Sequence, residues 1–278
     1  MSNEHTEPNP QIFAWNSSER AESWQQEAAR RQQLLGEATQ RMLDDAQIGP
    51  GDHVLDIAAG TGDQSLLAAR KVEPGGTVLA TDLSEEMLKA AARLAQQEGL
   101  TNITTQVIDA QQLDLEANTF DAVISRLGLM FVPRLPQALE KILRVLKPGG
   151  KLAALVWSAP ERNPLTSVPL ALLEKYTGGS FLGAAGPFAL ADPTYFEQVL
   201  KEAGFHEVTI QAIPVRFQFP SLEAFMLQGR RTVEGMMERL SQQEQESLAQ
   251  EIRQALHQFE GPQGLAAPEE VLLGVGTK

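Results

Sequence analysis

The sequence predicts an α/β fold in which parallel strands alternate with helices. Short apolar runs at residues 54–57, 77–82 and 102–108 are typical of strands that are buried on both faces of a sheet. Helix-forming segments separate these runs, and tight turns such as Pro74-Gly75-Gly76 lead into them. Open α/β sheets bind ligands at the carboxyl ends of their strands, so the residues that follow each run are the candidate site.

Composition excludes several classes of function. The chain has 278 residues, 42% of them hydrophobic, which is ordinary for a globular protein with a core. A net charge of −13 argues against a nucleic-acid surface, which needs clustered Lys and Arg. There is no cysteine, and the four histidines lack the spacing of metal ligands, so we expect no metal. No apolar run approaches membrane-spanning length and no signal sequence is recognisable, so we expect a cytoplasmic protein.

A glycine turn lies between the first predicted strand and a helix. Gly60 and Gly62 allow backbone angles and close approaches that a side chain would block. A dinucleotide-binding turn has a third glycine, where this chain has Ser65. Asp63 at the start of the helix is expected to repel a pyrophosphate, whereas Asp56 beside the turn suits a cofactor that carries positive charge.

The run from Asp56 to Asp63 resembles the first motif of the class I S-adenosylmethionine (SAM) methyltransferases. Ala58 stands at the first glycine of that motif, and a small alanine there also occurs in the branch of the quinone-biosynthesis C-methyltransferases. The resemblance implies a Rossmann-like sheet of seven strands in the order 3-2-1-4-5-7-6, with the last strand antiparallel. It also implies SAM as the cofactor and S-adenosylhomocysteine as its product. A glycine turn in another kind of α/β protein is the alternative.

Asp82 ends the second strand, 20 residues after Gly62. At this distance a carboxylate can accept both hydroxyls of a cofactor ribose, a feature shared with NAD enzymes. Ser84 is predicted to cap the next helix. In the resembling family, the residues at the positions of Leu83 and Met87 flank the adenine. A turn acid at Asp82 and a core side chain at Met87 are the alternatives.

A third acid, Asp109, follows the third strand, so Asp56, Asp82 and Asp109 end three successive strands. The resemblance implies that Asp109 accepts a hydrogen bond from the adenine amino group and that the amide of Ala110 meets a ring nitrogen. Gln111 completes this predicted cofactor segment. The alternative for Asp109 is a helix cap or turn residue.

The fourth predicted strand, residues 120–125, ends at Ser125 and is followed by Arg126. The resemblance places the end of this strand beside the transferring methyl group. Arg126 either contacts the cofactor or an anionic acceptor, or pairs with a neighbouring acid. The Asn- or Asp-Pro-aromatic signature of methyltransferases that act on amines is missing here, which weakens an amino group as the acceptor.

A helix over residues 18–43 is predicted from apolar residues at helical spacing. In the resembling family a helix at this place covers the cofactor, and packing on the flank of the sheet is the alternative. We therefore expect a mobile N-terminus and lid helix over residues 1–45, followed by the methyltransferase domain over residues 46–278.

A helical block at about 220–265 lies between predicted strands at 206–213 and 270–276 and is expected to form a cap. Its Phe and Met residues suggest an apolar pocket wall, although an ordinary core explains any one of them. The candidates for the acceptor pocket come from the lid, the strand ends and the cap: Trp15, Trp24, Met130, Phe131, Trp157 and Phe225.

These features predict methyl transfer from SAM to a small hydrophobic or aromatic molecule, at carbon or oxygen, by a monomer or homodimer. No catalytic base is assigned, because His53 and His206 do not stand at predicted carboxyl ends of strands. An NAD-dependent oxidoreductase is one alternative, although neither Tyr176 nor Tyr195 has a lysine four residues on. A SAM-binding protein without transferase activity is the other.

Overall fold

A computed structural model describes residues 17–183, 186–237 and 240–278, without the side chains of residues 230–236. Trp15, a candidate for the acceptor pocket, lies outside the described residues. Among the described residues, no helix combines the length and the apolar character needed to cross a membrane.

One mixed sheet forms the centre of the molecule. Its order is β3-β2-β1-β4-β5-β8-β6, and the two-residue β7 pairs with β8. The first five strands are parallel, whereas β8 lies antiparallel between β5 and β6. The predicted order is thus confirmed, because β8 is the last long strand in the chain. The strands are β1 (His53–Ile57), β2 (Thr77–Asp82), β3 (Ile103–Val107), β4 (Phe120–Arg126), β5 (Leu146–Trp157), β6 (His206–Phe219), β7 (Glu260–Gly261) and β8 (Gly264–Thr277).

The described helices flank this sheet and cover its carboxyl edge. The single helix predicted over residues 18–43 is in fact two helices, because the chain turns at Glu27, whose amide donates to the Trp24 carbonyl. The helices are α1 (Ser18–Gln26), α2 (Ala28–Asp45), α3 (Asp63–Lys71), α4 (Glu85–Gln97), α5 (Leu135–Val145), α6 (Pro164–Thr177), α7 (Pro193–Glu202), α8 (Leu222–Met237) and α9 (Gln242–Leu256).

Two hydrophobic clusters hold these layers together. The larger one packs α2, α5 and α7 against the sheet and includes Met42, Ile142 and Phe196, all with side chains of zero exposure. The smaller one joins α6 and α9 to the first residues of β8, among them Leu265 and Ala267. The cap therefore packs around its own hydrophobic cluster, and the first residues of β8 connect this cluster to the carboxyl edge of the sheet.

Two predicted boundaries are wrong in a way that affects the site. Strand β8 begins at Gly264, six residues before the predicted start at residue 270, and β6 continues to Phe219 instead of ending at residue 213. The extra residues pair with each other, Phe217 opposite Ala267 and Phe219 opposite Leu265. This extension carries the two strands beyond the edge of the parallel sheet and under the cap.

Candidate functional site

The glycine turn after β1 has a left-handed backbone at three positions. The φ angles of Ala58, Gly60 and Gly62 are 57°, 56° and 86°. A Cβ on Gly62 would lie 2.9 Å from the Cβ of Ala91, so α4 packs directly on the bare backbone here. Ala58, at the position where the motif usually has glycine, adopts a conformation that costs an L-residue about 1–2 kcal/mol.

The end of β4 accommodates that alanine. A Cβ on Gly128 would lie 2.5 Å from the Ala58 Cβ and 2.9 Å from the Ser125 Oγ. The Ser125 hydroxyl is buried and, among the described residues, has no hydrogen-bond partner. A buried hydroxyl without a partner is unfavourable in a protein interior, so it suggests a polar ligand atom at this end of the strand.

Asp82 joins the ends of β1 and β2. One carboxylate oxygen accepts from the Gly60 amide at 2.8 Å and the other from the Ser84 amide at 2.9 Å. Burial raises the pKa of Asp82, and these amide hydrogen bonds oppose the shift. A carboxylate has about four acceptor positions, so further hydroxyl donors can still be accommodated.

Asp56 lies directly below the turn and is completely buried. Its oxygens accept from the Gln64 side-chain amide at 3.1 Å and from the Ser65 hydroxyl. Burial raises the pKa of Asp56 to about 7, against the effect of these two hydrogen bonds and of the nearby Arg126 charge. Ser65, at the position where a dinucleotide-binding turn has its third glycine, thus donates a hydrogen bond to the strand-end acid Asp56.

The third acid is held by its own segment. Both Asp109 oxygens accept from the Gln111 side-chain amide at 3.1 Å, and one also accepts from the Gln111 backbone amide at 2.8 Å. The Gln111 side-chain oxygen Oε1 in turn accepts from the backbone amide and the guanidinium group of Arg134. The Ile108 amide donates to the Asp82 carbonyl at 3.1 Å, which places this segment, including Ala110, next to the end of β2.

An ion triad stands at the start of α3. Asp63 pairs with Arg31 of the lid helix at 2.9 Å and with Arg126 at 3.0 Å, and all three side chains are at most 12% exposed. Burial alone would raise the pKa of Asp63, but the two guanidinium groups outweigh it and keep the pKa below its usual value. Two cations surround one anion, so the expected repulsion of a pyrophosphate by Asp63 is not supported. Of the two alternatives for Arg126, the structure contains the pairing with a neighbouring acid.

Helices α1 and α2 contact the glycine turn through Trp24 and Arg31. The Trp24 indole nitrogen lies 3.5 Å from the place of a Cβ on Gly60. The Arg31 guanidinium stacks on the Trp24 ring at 4.4 Å and donates to the Trp24 carbonyl and to Thr61. These two helices are therefore anchored to the edge of the sheet by polar contacts as well as by apolar packing.

The other candidates occupy different places. Met87 is buried on α4 and its amide donates to Ser84, while the adjacent Leu83 is half-buried. Met130 is buried in the larger core and Phe131 packs against it. Trp157 contacts Phe217 with ring centroids 5.7 Å apart, and Phe225 contacts Phe219 at 5.0 Å under the cap.

Sequence reasoning missed Arg31 and Glu269. Arg31 lies on the polar side of a helix that was recognised only by its apolar spacing, and no local pattern marks it. Glu269 was outside the predicted last strand, yet it alternates along the chain in step with Leu265, Ala267 and Val271, as residues on one face of a strand do. A strand boundary placed five residues earlier would have identified a charged residue in an apolar row.

Comparison with known proteins supplies the family. The methyltransferase domain family matches residues 54–150. A demethylmenaquinone methyltransferase from Symbiobacterium thermophilum is 36% identical over 185 residues, which cover 59% of this chain and 72% of that protein. The chain belongs to the class I SAM-dependent methyltransferase family. The resemblance stated from the motifs is thereby confirmed.

Two other comparisons limit what membership implies. An uncharacterized protein of Mycobacterium tuberculosis is 43% identical over 113 residues, which are 41% of this chain and 40% of that protein, so the match spans less than half of this relative. The structure of the YcgJ protein from Bacillus subtilis superposes with a TM-score of 0.63 and 17% identity, covering 87% of this chain and 98% of that one. This likeness confirms the Rossmann-like fold.

The residues of this methyltransferase family member fit the cofactor. Asp56 and Asp82 lie at the carboxyl ends of β1 and β2, the Asp82 carboxylate can accept further hydroxyl donors, and the Ser125 hydroxyl lacks a partner among the described residues. A nucleoside with hydroxyl groups and a positive charge complements such a site better than an anionic ligand does.

The first prediction concerns the fit between the turn and β4. Gly128→Ala should destabilise the protein by about 1–3 kcal/mol, because the new methyl group overlaps the Ala58 Cβ. Adding Ala58→Gly removes that overlap and should restore at least about 1 kcal/mol. Urea unfolding measures both changes. Gly229→Ala on α8, whose new Cβ meets no described atom within 4 Å, is the control. Additive effects of the two substitutions would contradict this packing.

The second prediction concerns Asp56 and pH. Its folded pKa of about 7 exceeds the unfolded value of 3.8, so the folded state holds a proton that the unfolded state has released. Stability is therefore lost as pH rises from 4 to 7. The stability of Asp56→Asn relative to the native chain should increase over that range, by at most about 4 kcal/mol. Asp63→Asn should show the opposite sign and only below about pH 4, because the pKa of Asp63 is lowered from 3.8. Unfolding curves at several pH values test this, and a flat difference for Asp56→Asn would contradict it.

Proposed function

We propose that this chain transfers the methyl group of SAM to a small hydrophobic or aromatic molecule, at carbon or oxygen. The observation that carries the proposal is the convergence of Asp82, Asp56 and the glycine turn at one edge of the sheet, with Asp82 bonded to the turn itself. Demethylmenaquinone methyltransferase, of which the chain covers 72%, bears the name of an enzyme with a quinone-type acceptor.

In this proposal each element of the site has a role toward the cofactor. Asp82 accepts hydroxyls of the ribose, and Leu83 and Met87 flank the adenine. Asp109 and the amide of Ala110 contact the edge of the base. These acids stand at the ends of adjacent parallel strands, so a single nucleoside can reach them all.

The other end of the cofactor lies at the ion triad. SAM carries an α-carboxylate besides its cationic groups, and Arg31 and Arg126 provide one more positive charge than Asp63 neutralises. We therefore assign the carboxylate to these guanidinium groups. Charge-assisted hydrogen bonds of this kind are stronger than neutral ones. Asp56, which is completely buried, acts on the positively charged groups through its charge and not by contact.

When bound, the cofactor supplies an electrophilic methyl group. The protein aligns an acceptor with it and excludes water, and alignment of this kind can lower a barrier by about 7–11 kcal/mol in favourable cases. Trp24 and the lid helices close the site over the turn, and the aromatic rings between sheet and cap supply an apolar surface for the acceptor. We propose that the protein acts in the cytoplasm, as a monomer or homodimer.

Two alternatives differ in class. An NAD-dependent oxidoreductase would bind NAD at this turn and need a hydride-transfer site, and membership of the methyltransferase family disfavours it. A SAM-binding protein without transferase activity would keep cofactor affinity but methylate no acceptor. Incubation with labelled SAM and a panel of hydroxylated arenes and quinols separates the proposed methyltransferase from a binding protein without activity. Label in an acceptor supports the proposal.

The third prediction tests the ribose assignment. Asp82→Ala should weaken binding of S-adenosylhomocysteine at least tenfold, because it removes a charged acceptor and releases the Gly60 amide that holds the turn. Isothermal titration calorimetry measures the dissociation constant. Asp114→Ala is the control, since that carboxylate is fully exposed, and should bind as the native chain does. Unchanged affinity in Asp82→Ala would refute the assignment.

A further inference from the structure

Strand β8 carries a buried carboxylic acid that the cofactor site does not use. Glu269 is 1% exposed, and the residues that share its face of the strand, Leu265, Ala267 and Val271, are buried apolar side chains. A carboxyl group among core positions is costly unless its oxygens are bonded. Its partners therefore indicate why it is tolerated.

The first turn of α6 binds Glu269. One carboxyl oxygen accepts from the Leu165 amide at 2.7 Å and the other from the Thr166 hydroxyl at 3.1 Å. Asn163, completely buried, fixes this arrangement because its carbonyl oxygen accepts from the Glu270 amide at 2.9 Å while its amide group donates to the Ser158 carbonyl at 3.1 Å. The carboxyl group is thus held in one place by the start of a helix.

The strand register puts this group beside an aromatic pair. Trp157 lies opposite Val271 and Phe217 opposite Ala267, so both rings are on the face of the sheet that bears Glu269. Glu269 lies midway between Val271 and Ala267 along β8. The centroids of the two rings are 5.7 Å apart, so the rings extend across β8 at the position of Glu269.

This place adjoins the proposed methyl-transfer site. Trp157 is the last residue of β5, whose carboxyl end belongs to the same edge as that of β4. Arg30 of lid helix α2 stacks at 4.8 Å on Phe219, two residues beyond Phe217 on the same face. The Ser158 amide donates to the Glu270 carbonyl, so Glu269 lies just beyond the carboxyl end of β5, on the face of the sheet that also bears Phe217 and Phe219.

We propose that Glu269 is the base that takes the proton from a hydroxyl group of an aromatic acceptor, with Trp157 and Phe217 holding the ring. The inference rests on the proposed function. The acceptor oxygen forms a bond to the methyl carbon as the carbon–sulfur bond breaks. The sulfur keeps the bonding electron pair, and the hydroxyl proton passes to the Glu269 carboxylate. No further reactant is required.

The electrostatics of the group suit this role. Burial raises the pKa of Glu269 to about 8, and the hydrogen bonds from Leu165 and Thr166 oppose the shift. A pKa of about 8 is closer to the pKa of a phenol, about 10, than the pKa of an exposed carboxylate is. Matched pKa values favour proton transfer. Glu270 and Arg216 lie on the opposite face of the sheet. On the described surrounding helices, Arg30 pairs with Glu27, Lys175 with Glu251 and Arg253 with Glu223, and Glu174 of α6 accepts from the backbone amides of Phe181 and Leu182.

The fourth prediction uses Glu269→Gln, which keeps the shape and an acceptor oxygen for the Leu165 amide. With SAM and 2-naphthol as the probe, kcat should fall at least 100-fold while the KM for SAM changes less than threefold. The native kcat should rise with pH as the carboxyl group ionises, and this rise should be lost in the variant. Glu270→Gln, the adjacent residue on the opposite face, should stay within threefold of the native chain.

Binding of 2-naphthol, followed by its fluorescence, gives a result independent of turnover. Affinity should increase as Glu269 ionises between pH 7 and 9 in the native chain but not in Glu269→Gln. If this difference is seen but no compound of the labelled-SAM panel is methylated, the proposed function fails and Glu269 stands as a group that binds the hydroxyl of an aromatic molecule. Equal binding in both chains, or an unchanged kcat and pH profile in the variant, would overturn the inference and leave Glu269 as a helix anchor.

Discussion

The hydrogen bond from the Gly60 amide to Asp82 is the contact on which the site depends. It ties the turn after β1 to the end of β2 and so holds the left-handed backbone at Ala58, Gly60 and Gly62. The geometry follows from parallel strand order, which brings both strand ends to one edge. A half-buried carboxylate with a raised pKa remains there because main-chain amides stabilise its charged form.

Around this contact, buried carboxylates are stabilised by different kinds of partner. Asp56 has neutral partners and a pKa near 7, whereas Asp63 has two guanidinium partners and a lowered pKa. These carboxylates are seven residues apart on opposite sides of one turn, yet they favour different protonation states. A cofactor with a cationic and an anionic end would find complementary surroundings for each, and Arg31 makes the lid part of this balance.

Local patterns predicted the parallel strands and the acids at their ends, because apolar runs, glycine turns and the residue after each strand are visible in the sequence. The sheet order came from the family resemblance. Local patterns could not predict the Arg31–Asp63–Arg126 triad, whose members come from three distant segments and follow no spacing rule. Glu269 was missed for a different reason. The small residues that begin β8 obscured its alternation, and its pairing with β6 and β7 shows that the strand starts at Gly264.

The most direct test of the central claim is a pair of calorimetric titrations of the native chain, one with S-adenosylhomocysteine and one with NAD. An edge formed by strand-end carboxylates and bare main chain should bind S-adenosylhomocysteine at one site per chain and leave NAD unbound. Binding of NAD without binding of S-adenosylhomocysteine would contradict the account.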